Sequence, residues 1–286
     1  MPPPDNRAWI LVLPALAVLV FVGLIPLISV INYSFFDIFT LKDRFWVGTE
    51  WYADLLRDPA LWAALGRSAL FTALVVFIQF PLGVGIALLL PRNALWGSVC
   101  VMVLAMPLVV PWNMIPGIWL GFVDVETGLA GRAMAALGIG FDYKFNAWHS
   151  WALILAMDTW HWVGLVAILS YSGLSAIPGA YYQAAAIDGA GRVQIFRHVE
   201  LPRLTGVLMM ALVLRVMDSL MIYTEAFGIN AGGPDGATTF LALDLGEEIA
   251  AFNYGPAAAR SVLYVLLVLT LAWAFTLVLR GLRERS

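Results

Sequence analysis

Three ionisable side chains, Arg215, Asp218 and Glu225, interrupt the apolar stretch 205–228. Spacings of three and seven residues put all of them near one face of a helix. Charged groups are costly to bury unless they are paired, so a face of this kind calls for a partner or a polar ligand. It could face a polar solute or a partner chain, or Arg215 could simply pair with Asp218.

A second pair, Asp158 and His161, lies in the apolar stretch 151–174 at a spacing that permits a hydrogen bond between them. An acid–base pair would need a nucleophile, a metal cluster or a cofactor loop, and the sequence places none beside it. The chain has 3 His and 1 Cys, whereas a zinc site needs several suitably spaced ligands. We therefore expect neither a metal nor a catalytic residue here.

The composition indicates that these residues lie in membrane-spanning helices. The chain has 286 residues, of which 62% are hydrophobic and 12% charged, against about 45–50% and about 25% in soluble domains. Six stretches reach the roughly 20 residues that a span requires, namely 9–31, 67–90, 97–122, 151–174, 205–228 and 261–281. Lipid offers the backbone no hydrogen bonds, so we predict an all-α membrane protein with six transmembrane helices.

The charged residues between the spans favour one orientation. With the N-terminus inside, Lys and Arg divide almost evenly between the two sides, while most Asp and Glu fall outside. Both termini are therefore predicted to be cytoplasmic. The net charge of −3 shows no basic surplus, which argues against nucleic acid as a partner.

Three prolines, Pro107, Pro111 and Pro116, should kink or open the third span. Open backbone at membrane depth is tolerated only where it lines a cavity or is buried in protein. Trp112 and Asn113 lie in this part, and an aromatic face beside an amide suits a solute that carries hydroxyl groups. For the deeper tryptophans the alternative is an aromatic belt at the membrane surface.

A polar segment, residues 175–204, separates the fourth and fifth spans. Gln183 to Ala186 are mostly good helix formers, and Gly189 and Gly191 end that run. Pro202 suits the first turn of the next helix, where a missing N–H costs little. We predict two short helices at a tight bend on the cytoplasmic face.

This segment resembles the loop of the ABC-importer permease family. That loop reads Glu-Ala-Ala, three residues, Gly, nine residues, Ile, one residue, Leu-Pro. The chain has Gln183-Ala184-Ala185, Gly189, Val199 and Leu201-Pro202 at the same spacings, with Gln replacing Glu and Val replacing Ile. Gln183 keeps the hydrogen-bonding capacity but loses a charge that could contact an ATPase.

The resemblance implies one transmembrane permease domain over residues 1–286, with a coupling loop at about 175–204. The helix around Ala184–Arg192 would sit in a groove of a cytoplasmic ATPase, with Gly189 at a bend where a Cβ would clash. Asp188 and Arg192 could pair with each other or contact that partner. The expected coupling residues are Gln183, Ala184, Ala185, Asp188, Gly189, Arg192, Leu201 and Pro202.

The resemblance also implies the partners. They are a second homologous permease, identical or different, two cytoplasmic ATPase subunits and a periplasmic or lipid-anchored solute-binding protein, assembled at a bacterial inner membrane. The chain lacks the G-x-x-x-x-G-K-[ST] phosphate loop. We therefore expect no cofactor and no enzymatic activity in this chain, with ATP and Mg on the ATPase subunits.

Charge and resemblance together predict the solute. One Arg against three carboxylates within the spans disfavours an anion and favours a neutral molecule rich in hydroxyl groups. Gly232-Gly233-Pro234 and Thr238-Thr239 resemble carbohydrate-importer permeases of the maltose-transporter type, and the runs 107–113, 181–186 and 215–225 are similar to bacterial glycerol-importer permeases. We expect glycerol, or alternatively another sugar, a sugar alcohol or glycerol 3-phosphate. The expected pathway residues are Trp112, Asn113, Trp119, Asp158, Trp160, His161, Asp218, Tyr223 and Glu225.

Three other functions stay open at this point. A proton-coupled secondary transporter could use the buried acids, but the sequence shows no convincing internal repeat. A membrane enzyme would lack the groups named above. A structural subunit with no pathway of its own would tolerate substitution of Trp112, Asn113 and Asp218.

Overall fold

The computed structural model describes residues 8–40, 43–91 and 94–283. The two chain ends, whose cytoplasmic location stays a prediction, lie outside these residues. The helices, in chain order, are α1 (Ala8–Leu19), α2 (Ile25–Tyr33), α3 (Glu50–Arg57), α4 (Pro59–Leu89), α5 (Ala94–Val109), α6 (Ile115–Val123), α7 (Leu129–Ala136), α8 (Ala147–Ser175), α9 (Gly179–Ile187), α10 (Arg192–Ile195), α11 (Leu201–Ser219), α12 (Thr224–Asn230), α13 (Leu241–Ala250) and α14 (Tyr254–Arg283). Single π-helical turns cover Val20–Leu24 and Phe196–Glu200, and Trp112–Met114 form a 3₁₀ turn.

The predicted all-α membrane architecture is confirmed. Among the described residues, four helical segments are long and apolar enough to cross a membrane: Val12–Tyr33, Pro59–Leu89, Ala147–Ser175 and Tyr254–Leu277. Two bent pairs, Leu95–Val109 with Trp112–Val123 and Arg192–Ser219 with Thr224–Asn230, raise the number to six if each pair is one span. The sequence did not predict the small antiparallel hairpin of β1 (Phe36–Ile38) and β2 (Arg44–Trp46), in which Phe36 pairs with Trp46.

The third span is broken where its prolines predicted. The two helices of this pair meet at 80°, because Pro111 has an extended backbone and no N–H to continue the ladder. Pro116 lies in the first turn of α6, where its missing N–H costs little. The break leaves Trp112 and Asn113 in the short 3₁₀ turn between the two helices.

The fifth span was predicted as one helix over 205–228, and this was wrong. The two helices of that pair are bent by 40°, and the residues between Ser219 and Thr224 belong to no helix. The Ser219 hydroxyl donates to the Arg215 carbonyl at 2.6 Å, and serine bonds of this kind compete with the helix ladder. The break moves Tyr223 and Glu225 to the start of the separate helix α12.

The chain divides into two compact units. The first comprises the described residues up to Trp62 together with Asp244–Thr270, and the second comprises Ala63–Leu243 with the residues from Leu271 onward. In the first unit, Arg260 forms ion pairs with Asp244 at 2.7 Å and with Glu248 at 2.9 Å. Burial raises the pKa of Asp244 above its usual value, and Arg260 opposes that shift.

In the second unit, α8 packs against α5 and α11. The core contains Phe71, Ile154, Met157 and Phe240, all fully or almost fully buried. Gly164 on α8 permits a close approach of helices, because a Cβ there would meet the Leu104 carbonyl of α5. The site described below is built on this tight packing.

Replacing Gly164 with Ala should lower the thermal unfolding midpoint of the detergent-purified protein. The added Cβ would collide with α5, and overpacking typically costs about 1–3 kcal/mol. Gly206→Ala on α11 is the matched control, since a Cβ there meets nothing within 4 Å and Ala favours a helix over Gly by about 0.8–1 kcal/mol. Equal midpoints for the two variants would contradict the close contact of α5 with α8.

Candidate functional site

The two broken spans of the second unit enclose a small cavity together with α8. Its volume is about 70 Å³. The 3₁₀ turn after α5, the middle of α8, the end of α11 and the start of α12 all contribute to its wall. The lining residues are Trp112, Asp158, Trp162, Asp218, Met221, Ile222, Tyr223, Thr224 and Glu225.

A fully buried arginine lies behind the cavity and joins three helices. Arg215 Nη2 lies 2.6 Å from Asp158 Oδ2, and Arg215 Nη1 lies 2.5 Å from Asp218 Oδ2. Arg215 Nε donates to Gln79 Oε1 at 3.0 Å, and Gln79 Nε2 donates to Asp158 Oδ2 at 2.6 Å. Each guanidinium nitrogen therefore has an acceptor, which is what a buried charge requires. The Arg215–Asp218 pair that the spacing allowed is present.

The hydrogen bond that the spacing permits between Asp158 and His161 is absent from the described residues. Asp158 turns instead to Gln79 and Arg215. His161 is buried, and its Nδ1 has no hydrogen-bond partner within the described part of the chain. The imidazole contacts the rings of Trp112 and Trp162 edge-on, with centroids 6.5 and 5.1 Å away.

The cavity wall is lined by acidic side chains and no basic one. Asp158, Asp218 and Glu225 line it, whereas Arg215 does not. The two aspartates are compensated by the guanidinium behind them. Glu225 is only 8% exposed, and its carboxylate makes no ion pair among residues 8–40, 43–91 and 94–283. The wall thus offers carboxylate acceptors and no cationic side chain.

Aromatic rings form the other part of the wall. Trp112, half exposed, lies edge-on to Trp162 with centroids 6.2 Å apart. The Arg215 guanidinium carbon lies 4.7 Å from the Trp162 ring centroid, so this ring is also fixed by a cation–π contact. Tyr223 stacks on Phe227 at 5.4 Å. Rings of this kind pack against C–H groups.

The predicted pathway residues divide into two groups. Trp112, Asp158, Asp218, Tyr223 and Glu225 line the cavity, and their contact with a solute stays a prediction. The remaining four lie elsewhere: Asn113 is exposed, His161 lies behind the wall, and Trp119 and Trp160 meet edge-on at 6.2 Å against the hydrophobic core.

Sequence reasoning missed four lining residues, Trp162, Met221, Ile222 and Thr224, and also Gln79, which supports Arg215. Trp162 follows Asp158 by four residues, so it shares a helix face with Asp158 and could have been found. Gln79 is a lone polar side chain in an apolar span, which was a usable signal. Thr224 had no distinguishing feature, because its place in the wall depends on the break between α11 and α12.

The polar segment between the fourth and fifth spans forms an elbow, consisting of α9, the bend at Asp188–Gly191 and α10. Two short helices at a bend were predicted, and two are present. The helix expected around Ala184–Arg192 instead ends at Ile187, and Arg192 begins the next helix. The reason is Gly189, whose φ of +68° is in the left-handed region that glycine favours.

The expected reason for Gly189 was therefore wrong in detail. A Cβ on this residue would meet nothing within 4 Å, so the constraint is backbone conformation and not space. Of the two alternatives for Asp188 and Arg192, the pairing with each other is absent, since Arg192 Nη1 lies 2.7 Å from Glu200 Oε2. Arg192 is separated from Asp188 by the bend and cannot be its neighbour on one helix.

Most of the elbow faces outward. Gln183, Ala184, Asp188 and Gly189 are exposed, while Ala185 is buried. Two large apolar side chains are strongly exposed at the bend, Ile187 at 87% and Val193 at 77%. Leu201 and Pro202 are also exposed, at the start of α11. Exposed apolar side chains grouped in this way are typical of an interaction surface.

Known transport proteins are similar to this chain in sequence. The family model described as "Binding-protein-dependent transport system inner membrane component" matches residues 60–284. The trehalose/maltose transport system permease protein MalF of Thermococcus litoralis is 27% identical over 278 residues, covering 96% of this chain and 94% of that protein. The sn-glycerol-3-phosphate transport system permease protein UgpA of Yersinia pestis is 30% identical over 274 residues, covering 92% and 90%.

A solved structure has the same fold. It is the crystal structure of a bacterial ABC transporter involved in the import of the acidic polysaccharide alginate, with a TM-score of 0.82 and 96% of each chain covered. Its sequence identity to this chain is 17%, so the likeness concerns the arrangement of helices.

Replacing Gln79 with Leu should lower the thermal unfolding midpoint of the purified protein. The variant leaves Arg215 Nε buried without its acceptor, and an unsatisfied buried group costs about 1–3 kcal/mol, or more when charged. Thr72→Val on the same helix is the matched control, because it removes only the neutral 3.0 Å bond between the Thr72 and Ser219 hydroxyl groups. The idea that Gln79 satisfies Arg215 would be wrong if both variants lost the same stability.

Proposed function

Because the chain belongs to the family of binding-protein-dependent transport system inner membrane components, we propose that it carries a small neutral polyol, glycerol, through the cavity beside Arg215. It is a multi-pass inner-membrane permease subunit of an ABC importer for sugars or related solutes, and it works with a solute-binding protein. ATP binds to and is hydrolysed by separate subunits, and the permease itself holds no cofactor.

The size of the cavity favours a small solute. At about 70 Å³ the cavity exceeds the roughly 10–15 Å³ that one water needs, but it is small. Glycerol, with three carbons and three hydroxyl groups, is closer to this size than a disaccharide, which is several times larger. Another small sugar alcohol is the nearest alternative on these grounds.

The single observation that carries the proposal is the charge of the wall. Three carboxylates and no cationic side chain line the cavity. Carboxylate oxygens accept hydrogen bonds from hydroxyl groups, and the rings of Trp112, Trp162 and Tyr223 offer apolar faces to the C–H groups. A glycerol backbone presents both kinds of surface.

The same wall argues against glycerol 3-phosphate, although a permease named for that solute is 30% identical to this chain. A phosphate ester needs cationic or N–H donors. All three nitrogens of Arg215 already donate to Gln79, Asp158 or Asp218, and the cavity wall offers no other cationic side chain. Glycerol 3-phosphate is therefore the weaker candidate.

The exposed elbow supports the proposed connection to ATPase subunits. In this proposal both chain termini are cytoplasmic, and α9 docks in a groove of one of two ATPases through Gln183, Ala184, Asp188 and Gly189. The exposed Ile187 adds apolar area to that contact. A second homologous permease completes the pathway, and a periplasmic or lipid-anchored binding protein delivers the solute.

Vesicles that contain the reconstituted permeases, ATPases and binding protein should take up radiolabelled glycerol when ATP is supplied to the ATPase side. Excess unlabelled glycerol should compete, and glycerol 3-phosphate should not. Asp218→Asn should lower uptake per assembled complex, because it neutralises a wall carboxylate that is 30% exposed, while the amide oxygen can still accept from Arg215.

Competition by hexoses or disaccharides alone would refute glycerol as the solute. Loss of uptake on addition of an uncoupler, with ATP held constant, would instead support the proton-coupled alternative. An unchanged rate in the Asp218 variant would remove that carboxylate from the pathway.

Replacing Gly189 with Val should reduce transport per ATP hydrolysed. A β-branched residue disfavours the left-handed conformation that Gly189 adopts, so the bend at the end of α9 would change shape. The ratio of glycerol uptake to phosphate release, measured in the same vesicles, tests this. Gly179→Val serves as control, because Gly179 has no positive φ and a Cβ there meets nothing within 4 Å.

A further inference from the structure

Glu200 is a carboxylate buried completely just before α11. It occupies the end of the π-helical turn that connects α10 with α11. A buried carboxylate is costly unless it is paired and hydrogen-bonded. Its placement therefore needs partners, and two of these come from the elbow.

The partners of Glu200 lie on both helices of the elbow. Arg192, the first residue of α10, places Nη1 2.7 Å from Glu200 Oε2. Tyr182 on α9 donates its hydroxyl to Glu200 Oε1 at 3.2 Å. One side chain thus connects α9, α10 and the start of α11, and we name Tyr182, Arg192 and Glu200 the elbow clamp.

Neighbouring contacts hold α9 against the same part of α11. The Arg203 guanidinium carbon lies 3.6 Å from the centre of the Tyr181 ring, and Arg203 Nη1 donates to the Val199 carbonyl at 3.2 Å. A hydrophobic cluster lies beneath, formed by Ala87, Leu174, Ile177 and Leu204 with Tyr182 and Val199 packed against it.

We propose that Glu200 is a positioning residue for coupling, which fixes the elbow to α11 so that movement of α9 is transmitted to the transmembrane helix. The inference rests on the proposed docking of α9 on an ATPase. The bend at Gly189 has no side chain and open space around it, so the bend alone would let α9 swing without moving α11. The elbow clamp removes that freedom.

The other end of α11 explains why rigid transmission matters. Arg215 and Asp218 lie near the end of this helix, beside the cavity. A displacement of α11 therefore moves a carboxylate of the cavity wall. Without the clamp, part of the nucleotide-driven movement of α9 would be absorbed at the bend, and less solute would be transported per ATP hydrolysed.

The test measures solute uptake and phosphate release together in vesicles that contain the whole importer. Glu200→Gln keeps the shape of the side chain and can still accept from Tyr182, but it loses the ion pair with Arg192. We expect transport per ATP to fall about fivefold, the lower end of usual coupling between sites. Arg192→Gln should give the same loss, and the double variant should lose no more than either single one.

Two further variants separate coupling from simple stability. Glu200→Asp, which keeps the charge, should transport more solute per ATP than Glu200→Gln. Arg197→Gln removes an exposed charge from the same turn and should keep the ratio of the unmodified protein, since Arg197 makes no ion pair among the described residues. The amount of assembled complex is measured for every variant.

The inference is overturned if Glu200→Gln and Arg192→Gln keep the transport per ATP of the unmodified protein while Gly189→Val lowers it. In that case the elbow still has a coupling role, but the clamp does not. It is also overturned if Glu200→Gln reduces only the amount of complex and not the ratio per complex. If Gly189→Val also keeps the transport per ATP of the unmodified protein, the proposed docking of the elbow is itself contradicted.

Discussion

A guanidinium buried inside a membrane protein constrains everything around it. Arg215 is completely buried, and the cost of a charge in such surroundings is removed only by correctly placed acceptors. Gln79 on α4, Asp158 on α8 and Asp218 on its own helix provide them within 2.5–3.0 Å. The packing of these helices, which includes the close approach at Gly164, therefore also determines the electrostatics of the cavity.

The cavity exists because two spans are interrupted at its edge. Pro111 interrupts the third span. In the fifth span, the hydroxyl of Ser219 donates to the Arg215 carbonyl next to the break. Each interruption removes a helix surface that would otherwise fill the space, and it presents side chains from a turn. Trp112 comes from the first break and Tyr223 from the second, so the site depends on irregular backbone supported by regular helices.

The elbow and the cavity share α11. At one end, Glu200 receives hydrogen bonds from both short helices of the elbow. Near the other end, Arg215 and Asp218 adjoin the cavity. A continuous helix with polar connections at both ends is suited to transmit displacement, because a helix resists bending better than a loop.

The sequence by itself determined the membrane class, the positions of the spans, the break at the prolines and the family, because each depends on local composition or on a motif with fixed spacing. The Arg215–Asp218 pair was also predictable, since three residues along a helix bring two side chains together. The tertiary structure alone decided the rest. The partners of Asp158 are Gln79 and Arg215, which are 79 and 57 positions away along the chain. Trp119 and Trp160 pack against the core, although the sequence assigned them the same role in the pathway as Trp112. The physical reason is that periodicity assigns a residue to a face of its helix, but only the packing of helices decides what that face meets.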